Sequence, residues 1–286
     1  MQRYIDTTHP YKGMGEDYAK ARKGTPDFAQ FMVKNSGLVE ATGSKNPLLM
    51  VEFGVGGGQQ TEFVEKELSK KSITNYTILG MDKSFGISPE GNPGQLEVLK
   101  SRIESGEISS RVIPYPHDLD RGLLLAKNSV DLGYAAFVIH HLKSREGFFD
   151  EVRRIAKKGS RFFVFGASLE DLADHPLNEF FPDKASYDAM RYPTREQIKN
   201  LFENAGFEHQ QPYPILRDDD KPIDEAFLVS VENKTINSVL VMIADDNPGA
   251  FSRGLERVRN VVEEGIKSGT YRRSNIYRTI DWGIKT

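Results

Sequence analysis

An acid followed by four glycines forms the segment best suited to bind a ligand. The segment is Val51-Glu52-Phe53-Gly54-Val55-Gly56-Gly57-Gly58-Gln59, and its first residue ends the apolar run that begins at Leu48. Glycines let the backbone approach a bound molecule and adopt positive φ at little steric cost. A dinucleotide-binding loop needs Gly or Ala where Gln59 stands, and Glu52 would repel its pyrophosphate. The pattern therefore favours a cationic ligand without phosphate, the alternative being a tight turn of an ordinary α/β domain.

Polar residues also follow two later apolar runs. Asp82 ends the second run, where a carboxylate can accept both hydroxyl groups of a ribose, although an isolated Asp is more often a helix cap. His140 and His141 lie beyond the fourth run, where an imidazole could take a proton from a hydroxyl acceptor. His175, beside Pro176, is a weaker candidate.

These residues must be positioned by alternating strands and helices, because apolar runs bounded by turn residues recur with helical patterns between them. The predicted strands are Pro47–Phe53, Tyr76–Met81, Arg111–Tyr115, Val130–Phe137, Arg161–Phe165, Phe207 to about Tyr213, and Asn275 to Ile284. The spacing of Phe148, Val152 and Ile155 predicts a helix that stops at Gly159. Another helix begins at Thr194, where Gln197 completes a capping box.

The order and spacing of these motifs resemble those of the class I SAM-dependent methyltransferases. The resemblance is carried by the acid-x-Gly-x-Gly-x-Gly turn, by Asp82 and Asp118, and by the segment from Asn128 to Leu142, and it covers roughly residues 45–215. It implies S-adenosylmethionine (SAM) as cofactor and methylation of O, N or C on a small molecule by in-line transfer. It also implies an α/β fold with a Rossmann-like seven-stranded sheet, mostly parallel with the last strand antiparallel, helices on both faces and a helical cap or insertion.

Family motifs then place individual residues at the cofactor. Asp118 matches the acid that accepts the adenine amino group, and Tyr18 and Arg22 lie on a helix that in relatives folds over the methionine part. An exposed helix with Tyr18 packed inward is the alternative. In relatives that share the sequence His-His-Leu found here at residues 140–142, at least one of the two histidines commonly braces the strand-to-helix turn. This structural role is the alternative to catalysis by His140 or His141. The predicted cofactor contacts are Tyr18, Arg22, Glu52, Gly54, Val55, Gly56, Gly58, Asp82, Lys83, Asp118, Leu119, Ala135 and Phe137.

The chain is expected to add segments to a minimal core. The expected organisation is an N-terminal helical lid (1–44), a SAM-binding core (45–168), a cap (169–192), the core continued (193–217), a helical insertion (218–270) and a final core strand (271–286). Open α/β sheets place ligand-enclosing groups at the carboxyl ends of their strands. Apolar side chains are expected to give the cap an inner surface for a hydrophobic or aromatic acceptor, namely Phe180, Phe181, Tyr187 and Met190.

The amino-acid composition restricts the kinds of binding partner to be expected. The 38 basic and 41 acidic residues give a net charge of −3, which disfavours nucleic acid and membrane surfaces as principal partners. No signal peptide or membrane-spanning run is visible, so a cytoplasmic protein is expected. Absence of cysteine excludes thiol chemistry, and the six histidines have no metal-ligand spacing, so no metal site is expected. A small-molecule acceptor and a homodimer through the 218–270 helices are the expected partners.

Two other functions remain open at this level. One is a SAM-binding enzyme that is not a methyltransferase, either a cyclase or an enzyme that uses a modified form of SAM. The other is a SAM-binding regulatory or scaffold subunit that holds a partner with the 218–270 helices. The acids Glu52, Asp82 and Asp118 argue against a decayed pocket.

Overall fold

Eight strands and ten α-helices make up the described part of the protein. The computed structural model describes residues 24–38, 47–86, 93–166, 168–173, 175–237 and 239–286. The strands are β1 Leu48–Phe53, β2 Tyr76–Asp82, β3 Val112–Pro116, β4 Val130–Ala136, β5 Ala156–Phe165, β6 Phe207–His209, β7 Tyr213–Pro222 and β8 Arg273–Lys285. The helices are α1 Pro26–Lys34, α2 Gln59–Lys70, α3 Gln95–Glu104, α4 Arg145–Ile155, α5 Leu177–Phe180, α6 Lys184–Arg191, α7 Arg195–Asn204, α8 Glu225–Glu232, α9 Val239–Asp246 and α10 Pro248–Ser268.

The sheet has the order β3-β2-β1-β4-β5-β8-β6, with β7 also paired to β8. Strands β1 to β5 are parallel, while β8 runs antiparallel to β5, β6 and β7. The predicted Rossmann-like, mostly parallel sheet is confirmed. Its parallel strands end at one edge, where Phe53 lies opposite Met81 and Ala135.

The sheet has one strand more than predicted. Residues 207 to 213 were expected to form a single sixth strand, but β6 ends at His209 and β7 starts at Tyr213. Pro212, between them, has no N–H to donate to a ladder. β7 then continues to Pro222 along the first half of β8, so that the end of the chain forms a long hairpin with it.

One predicted helix end is also displaced. α4 ends at Ile155, and β5 already begins at Ala156 rather than at Arg161. Gly159 has φ of 79° inside this strand, and the pairing with β4 shifts register between Val130 and Leu132. A glycine at positive φ with a register shift is typical of a β-bulge. The predicted capping box of Thr194 and Gln197 is confirmed at the start of α7.

Helices cover both faces of the sheet. On one face α1, α2 and α3 pack against β1 and β2 through buried side chains such as Phe28, Val64 and Leu99. On the other face α4 and α7 pack through Phe149 and Phe202, whose rings meet with a centroid distance of 5.0 Å. These two apolar layers hold the strand ends, and the turns that follow them, in fixed positions.

A third apolar cluster joins the added helices to one another. Helices α5, α8, α9 and α10 share buried residues, namely Leu177, Phe180, Phe181, Ile223, Val231, Val239, Leu240, Ile243, Val258 and Val262. We call α5, α6, α8, α9 and α10 the helical layer. None of the helices in the described ranges is long and apolar enough to cross a membrane.

Candidate active site

The glycine-rich turn after β1 contains glycines of two kinds. A Cβ on Gly54 would lie 2.2 Å from Val138 Cγ2, and one on Gly58 would lie 2.6 Å from Ile108 Cδ1, so packing alone requires both. Gly56 has φ of 56°, yet a Cβ there would meet nothing closer than Gln59 Oε1 at 3.6 Å. A left-handed glycine that packing does not require lets the backbone come close to a ligand. Gly56 is therefore the glycine of this turn that fits a cofactor contact.

Glu52 is buried beneath this turn. Its Oε2 atom accepts hydrogen bonds from Thr61 Oγ1 at 2.6 Å and from Tyr134 Oη at 2.8 Å. Burial raises the pKa of Glu52 to about 7, and the two hydrogen bonds only partly oppose this rise. The carboxyl is thus poised to ionise near neutral pH, and a cationic ligand close to it would favour the charged form.

Asp82 joins the end of β2 to the glycine-rich turn. Its Oδ2 accepts from the Gly56 N–H at 3.0 Å and its Oδ1 accepts from the Ser84 N–H at 2.8 Å. Burial raises the pKa of this half-buried carboxyl above its ordinary value, against the effect of these hydrogen bonds. A carboxylate has about four acceptor positions, so two remain for the hydroxyl groups of a ribose.

The two acids after β3 have different local roles. Asp118 caps a short 3₁₀ turn at Leu119–Arg121 by accepting from the Asp120 N–H at 3.2 Å, and it lies 3.6 Å from Arg121 Nε. Asp120, within that turn, accepts with its Oδ1 from the Lys143 N–H at 2.7 Å. Asp118 is half-exposed. It lies at the same edge of the sheet as Asp82, because Asp82 pairs with Pro116 of β3, two residues before Asp118.

A strained residue directly follows β4. Phe137 has φ of 58°, and its N–H donates to Phe165 O at 3.0 Å while its ring lies 5.0 Å from that of Phe165. A bulky residue in the left-handed region costs roughly 1–3 kcal/mol and is found most often at functional sites. Ala135, two residues before it, is fully buried.

The other predicted cofactor residues differ in how exposed their side chains are. Val55 and Leu119 have buried side chains, so only their backbone groups can face a ligand. Val55 covers Gly80 of β2, where a Cβ would lie 2.9 Å from Val55 Cγ2. Lys83 is exposed. Tyr18 and Arg22 lie outside the described residues, so their predicted contacts are not part of this geometry.

The histidine pair lies in a short 3₁₀ turn, Ile139–His141, beyond β4. His140 is buried and its ring stacks on Tyr192 with a centroid distance of 4.2 Å, and the ring of His141 is 3.9 Å away. His141 Nδ1 lies 3.0 Å from an Nη2 atom of Arg191, the last residue of α6. The turn is therefore tied to the helical layer, and sequence reasoning missed both partners, Arg191 and Tyr192.

The buried face of α6 is charged, which corrects the expectation of an apolar inner surface. Lys184, Asp188 and Arg191 are each at most 3% exposed, whereas Met190 is 57% exposed. The Lys184 ammonium forms an ion pair with Asp188 and donates to Asn178 Oδ1 at 3.0 Å. Burial lowers the pKa of Lys184 and raises that of Asp188. The i, i+4, i+7 spacing of the three was the available signal, since it places them on one face.

The aromatic residues assigned to the cap surface pack elsewhere. Phe180 and Phe181 are buried in the cluster shared with α8, α9 and α10. Tyr187 is only partly buried and donates to Asp246 Oδ2 at 3.2 Å. His175, the weaker catalytic candidate, is buried and its Nδ1 accepts from the Leu177 N–H at 3.2 Å. In the described part of the chain, no group of three or more acidic or histidine side chains is arranged to hold a metal ion.

Comparison with known proteins agrees with this geometry. Residues 51–164 match the family model described as a methyltransferase domain. The fold is similar to that of a protein described as a methyltransferase of an antibiotic biosynthesis pathway from Anabaena variabilis, with a TM-score of 0.60 at 17% identity over 92% of this chain and 98% of that chain. A search of curated proteins finds no significant sequence match.

Two further solved structures share the fold. The cyclase SpnF has a TM-score of 0.57 at 13% identity, over 100% of this chain and 97% of its own. Geranyl diphosphate C-methyltransferase from Streptomyces coelicolor, solved with Mg²⁺, geranyl diphosphate and S-adenosylhomocysteine, has a TM-score of 0.51 at 12% identity, over 91% of this chain and 79% of its own. Such identities establish a common fold and no common substrate. Residues 51–164 therefore match a methyltransferase domain, and the fold around them is one that methyltransferases crystallised with S-adenosylhomocysteine also have.

Proposed function

We propose that this protein binds SAM across the carboxyl ends of β1 to β4 and transfers its methyl group to a small-molecule acceptor. The observation that carries the proposal is Gly56, whose left-handed backbone is not required by packing and whose N–H is held by the carboxylate of Asp82. A Cβ on Gly56 would make only ordinary contacts, with Gln59 Oε1 at 3.6 Å and Gln95 Oε1 at 3.8 Å, so the backbone there has room for an approaching atom. Neither Gly54 nor Gly58 leaves such room.

The chemistry of the surrounding groups fits SAM. SAM supplies, when bound, a methyl group on a positively charged sulfur, together with an ammonium group and a ribose. Glu52 and Asp82 offer carboxylates to the positive charge and to the ribose hydroxyls, and Asp118 offers one at the end of β3. Arg102 of α3 stabilises the glycine-rich turn by donating a hydrogen bond to Gly57 O at 3.0 Å.

The protein's own contribution to methyl transfer is alignment and exclusion of water. Transfer from a sulfonium needs the nucleophile in line with the methyl group, and no base is obligatory. Arg191, at the end of α6, contacts His141, and Tyr192 after it stacks on His140, so the helical layer is tied to the turn that follows β4. An acceptor held between these elements would lie beside Phe137 and the histidine turn. His140 and His141 are the residues proposed to contact it.

A labelled-methyl assay tests this function. The full-length protein is incubated with SAM labelled in the methyl group and with a small-molecule cell extract, and the products are separated by mass spectrometry. We expect label to appear in a small-molecule product with the wild type and to be absent with Gly56→Val. SAM binding without any labelled product, in small-molecule and in protein fractions, would contradict a transferase and favour a SAM-binding cyclase or scaffold.

A further inference from the structure

The glycine-rich turn after β1 contains three consecutive glycines, residues 56–58, and such a backbone needs contacts that hold it in one conformation. Glycine loses more conformational freedom on folding than any other residue. The Gly56 N–H donates to Asp82 Oδ2 at 3.0 Å. One residue later, the carbonyl oxygen of Gly57 accepts a hydrogen bond from Arg102 Nη1, also at 3.0 Å. Arg102 therefore helps to fix the peptide that joins Gly57 to Gly58.

The guanidinium of Arg102 is itself held in place by two acids. Its Nη2 atom donates to Glu62 Oε2 of α2 at 2.6 Å, and its Nε atom donates to Glu107 Oε2, just after α3, at 3.0 Å. A guanidinium is planar and presents its donors in a rigid fork, so these two contacts leave Nη1 directed at Gly57 O. A lysine, with one ammonium on a flexible stem, has no such fork.

One face of α3 packs against the same turn. A Cβ on Gly57 would lie 3.1 Å from Val98 Cγ1, and one on Gly58 would lie 2.7 Å from Leu99 Cδ1. Val98 and Leu99 precede Arg102 by four and three residues, so the three side chains share a face of the helix. Arg102 thus adds a hydrogen bond to an apolar contact between α3 and the turn.

The start of α3 is tied to the other predicted cofactor segment. The Ser84 N–H donates to Asp82 Oδ1 at 2.8 Å, and Ser84 O accepts from the Leu96 N–H, in the first turn of α3, at 3.0 Å. Arg102 lies in the last turn of the same helix. α3 therefore contacts the segment of Asp82 at one end and the glycine-rich turn at the other.

We propose that Arg102 is a positioning residue that orders the glycine-rich turn before SAM binds and thereby raises the affinity for SAM. This rests on the proposed function for the identity of the ligand, whereas the ordering of the turn does not. A binding loop held in its bound conformation gives tighter binding, because less conformational entropy is lost when the ligand arrives. The cost of ordering the backbone of one residue corresponds to roughly 5- to 30-fold in affinity.

The first test measures the order of the turn without SAM. Hydrogen–deuterium exchange of the full-length protein, read by mass spectrometry on peptides that cover residues 54–58, reports how often the turn opens. We expect Arg102→Met to exchange faster than wild type in these peptides. The matched control is Arg153→Met, because Arg153 of α4 also donates to a glycine carbonyl, Gly206 O at 3.2 Å, but next to β6 and away from the glycine-rich turn.

Arg153→Met should exchange like wild type over residues 54–58. A folded Arg102→Met variant with wild-type exchange in the turn would overturn the proposal. Arg102→Lys keeps the charge and provides a second variant if Arg102→Met does not fold. Since an ammonium lacks the fork, we expect Arg102→Lys also to exchange faster than wild type. These measurements involve no ligand, so their outcome leaves the proposed methyl transfer untouched.

The second test is calorimetric titration of the same proteins with SAM. We expect Arg102→Met to bind SAM roughly 5- to 30-fold more weakly than wild type and Arg153→Met to bind it equally well. Saturating SAM should bring exchange of residues 54–58 in Arg102→Met down to the level of SAM-bound wild type, because the ligand then orders the turn. A residue that only stabilises the fold would not produce this recovery.

Two results distinguish failure of this proposal from failure of the proposed function. Equal SAM affinities of wild type, Arg102→Met and Arg102→Lys would overturn the role of Arg102 alone. Absence of SAM binding by the wild type would contradict the proposed function and, with it, the ligand named here. The exchange measurement without SAM would still decide whether Arg102 orders the turn.

Discussion

Glu52 lies in surroundings that oppose its own charge. Its folded-state pKa of about 7 stands above the ordinary 4.5, because burial outweighs the hydrogen bonds from Thr61 and Tyr134. Between these two values the folded protein binds more protons than the unfolded chain, so stability falls as pH rises from about 4.5 to about 7. The stability that the protonated Glu52 contributes is fully present below pH 4.5 and is lost above about pH 7.

Glu52→Gln should remove this dependence. The amide keeps the shape of the protonated acid, so the variant should match wild type in stability near pH 5 and exceed it at pH 8 by roughly 2–3 kcal/mol. Urea unfolding at four pH values between 5 and 8 measures the difference. A constant difference across this range would show that Glu52 does not titrate there.

Asp82 is expected to be a direct cofactor ligand. Asp82→Ala should weaken SAM binding by about 1.5–3 kcal/mol, the range for hydrogen bonds to a charged group. Asp131→Ala is the matched control, because Asp131 also accepts a backbone N–H, from Leu49 at 2.9 Å, and pairs with Lys157 at 2.7 Å, but at the start of β4. Titration calorimetry with SAM compares the two. Equal affinities for wild type and Asp82→Ala would remove Asp82 from the site.

Within the helical layer, one glycine permits two elements to pack closely. A Cβ on Gly254 of α10 would lie 2.2 Å from Phe181 Cε1, while one on Gly249 of the same helix meets nothing closer than Arg253 Nη1 at 3.4 Å. Alanine is favoured over glycine inside a helix by roughly 0.5–1 kcal/mol. Gly249→Ala should therefore leave stability unchanged or increase it slightly.

Gly254→Ala should act in the opposite direction. The added methyl forces the buried Phe181 to move, which costs typically about 1–3 kcal/mol and exceeds the gain in helix propensity. Urea unfolding of both variants measures the contrast. If Gly254→Ala is as stable as Gly249→Ala, Phe181 does not hold α10 in the way described.

The sheet could be predicted from sequence because its strands are short apolar runs with glycines and acids at their ends. Leu48–Phe53 and Tyr76–Asp82 lie within one residue of their predicted bounds. The inner face of α6 could not be predicted by the same rule, since it buries Lys184 and Arg191 and exposes Met190. Hydrophobic periodicity identifies faces that are buried for stability, and it misleads where charge is buried.

The same reasoning explains the mixed outcome for the glycine-rich turn. The run of glycines predicted a close approach of backbone to a ligand, but Gly54 and Gly58 are required by Val138 and by Ile108, which come from distant segments of the chain. Such contacts cannot be read from local spacing. Only the fold separates a glycine needed for packing from one, Gly56, that leaves space for a ligand.

At the scale of the whole molecule, ligand-facing groups gather at one edge of the sheet and the helical layer adjoins it. The acids after β1, β2 and β3, the strained Phe137 and the histidine turn all lie at this carboxyl edge. A homodimer through the 218–270 helices stays a prediction. Among the described residues of those helices, the large apolar side chains that are exposed are Val229 and Ile266.

The central claim, that SAM occupies the space over Gly56, is tested most directly by calorimetric titration of the full-length protein with SAM. The matched control for Gly56→Val is Gly106→Val. Gly106 has φ of 81° and open space around it, but it lies between α3 and β3 at the opposite edge of the sheet. Both variants therefore carry the same kind of backbone strain.

We expect wild type and Gly106→Val to bind SAM with a Kd on the order of 1 µM to 1 mM, the range in which enzymes usually bind their substrates. Gly56→Val, folded as judged by circular dichroism, should bind at least about a hundredfold more weakly, a loss of roughly 3 kcal/mol or more. Wild-type affinity in Gly56→Val, or no binding of SAM by the wild type, would contradict the account.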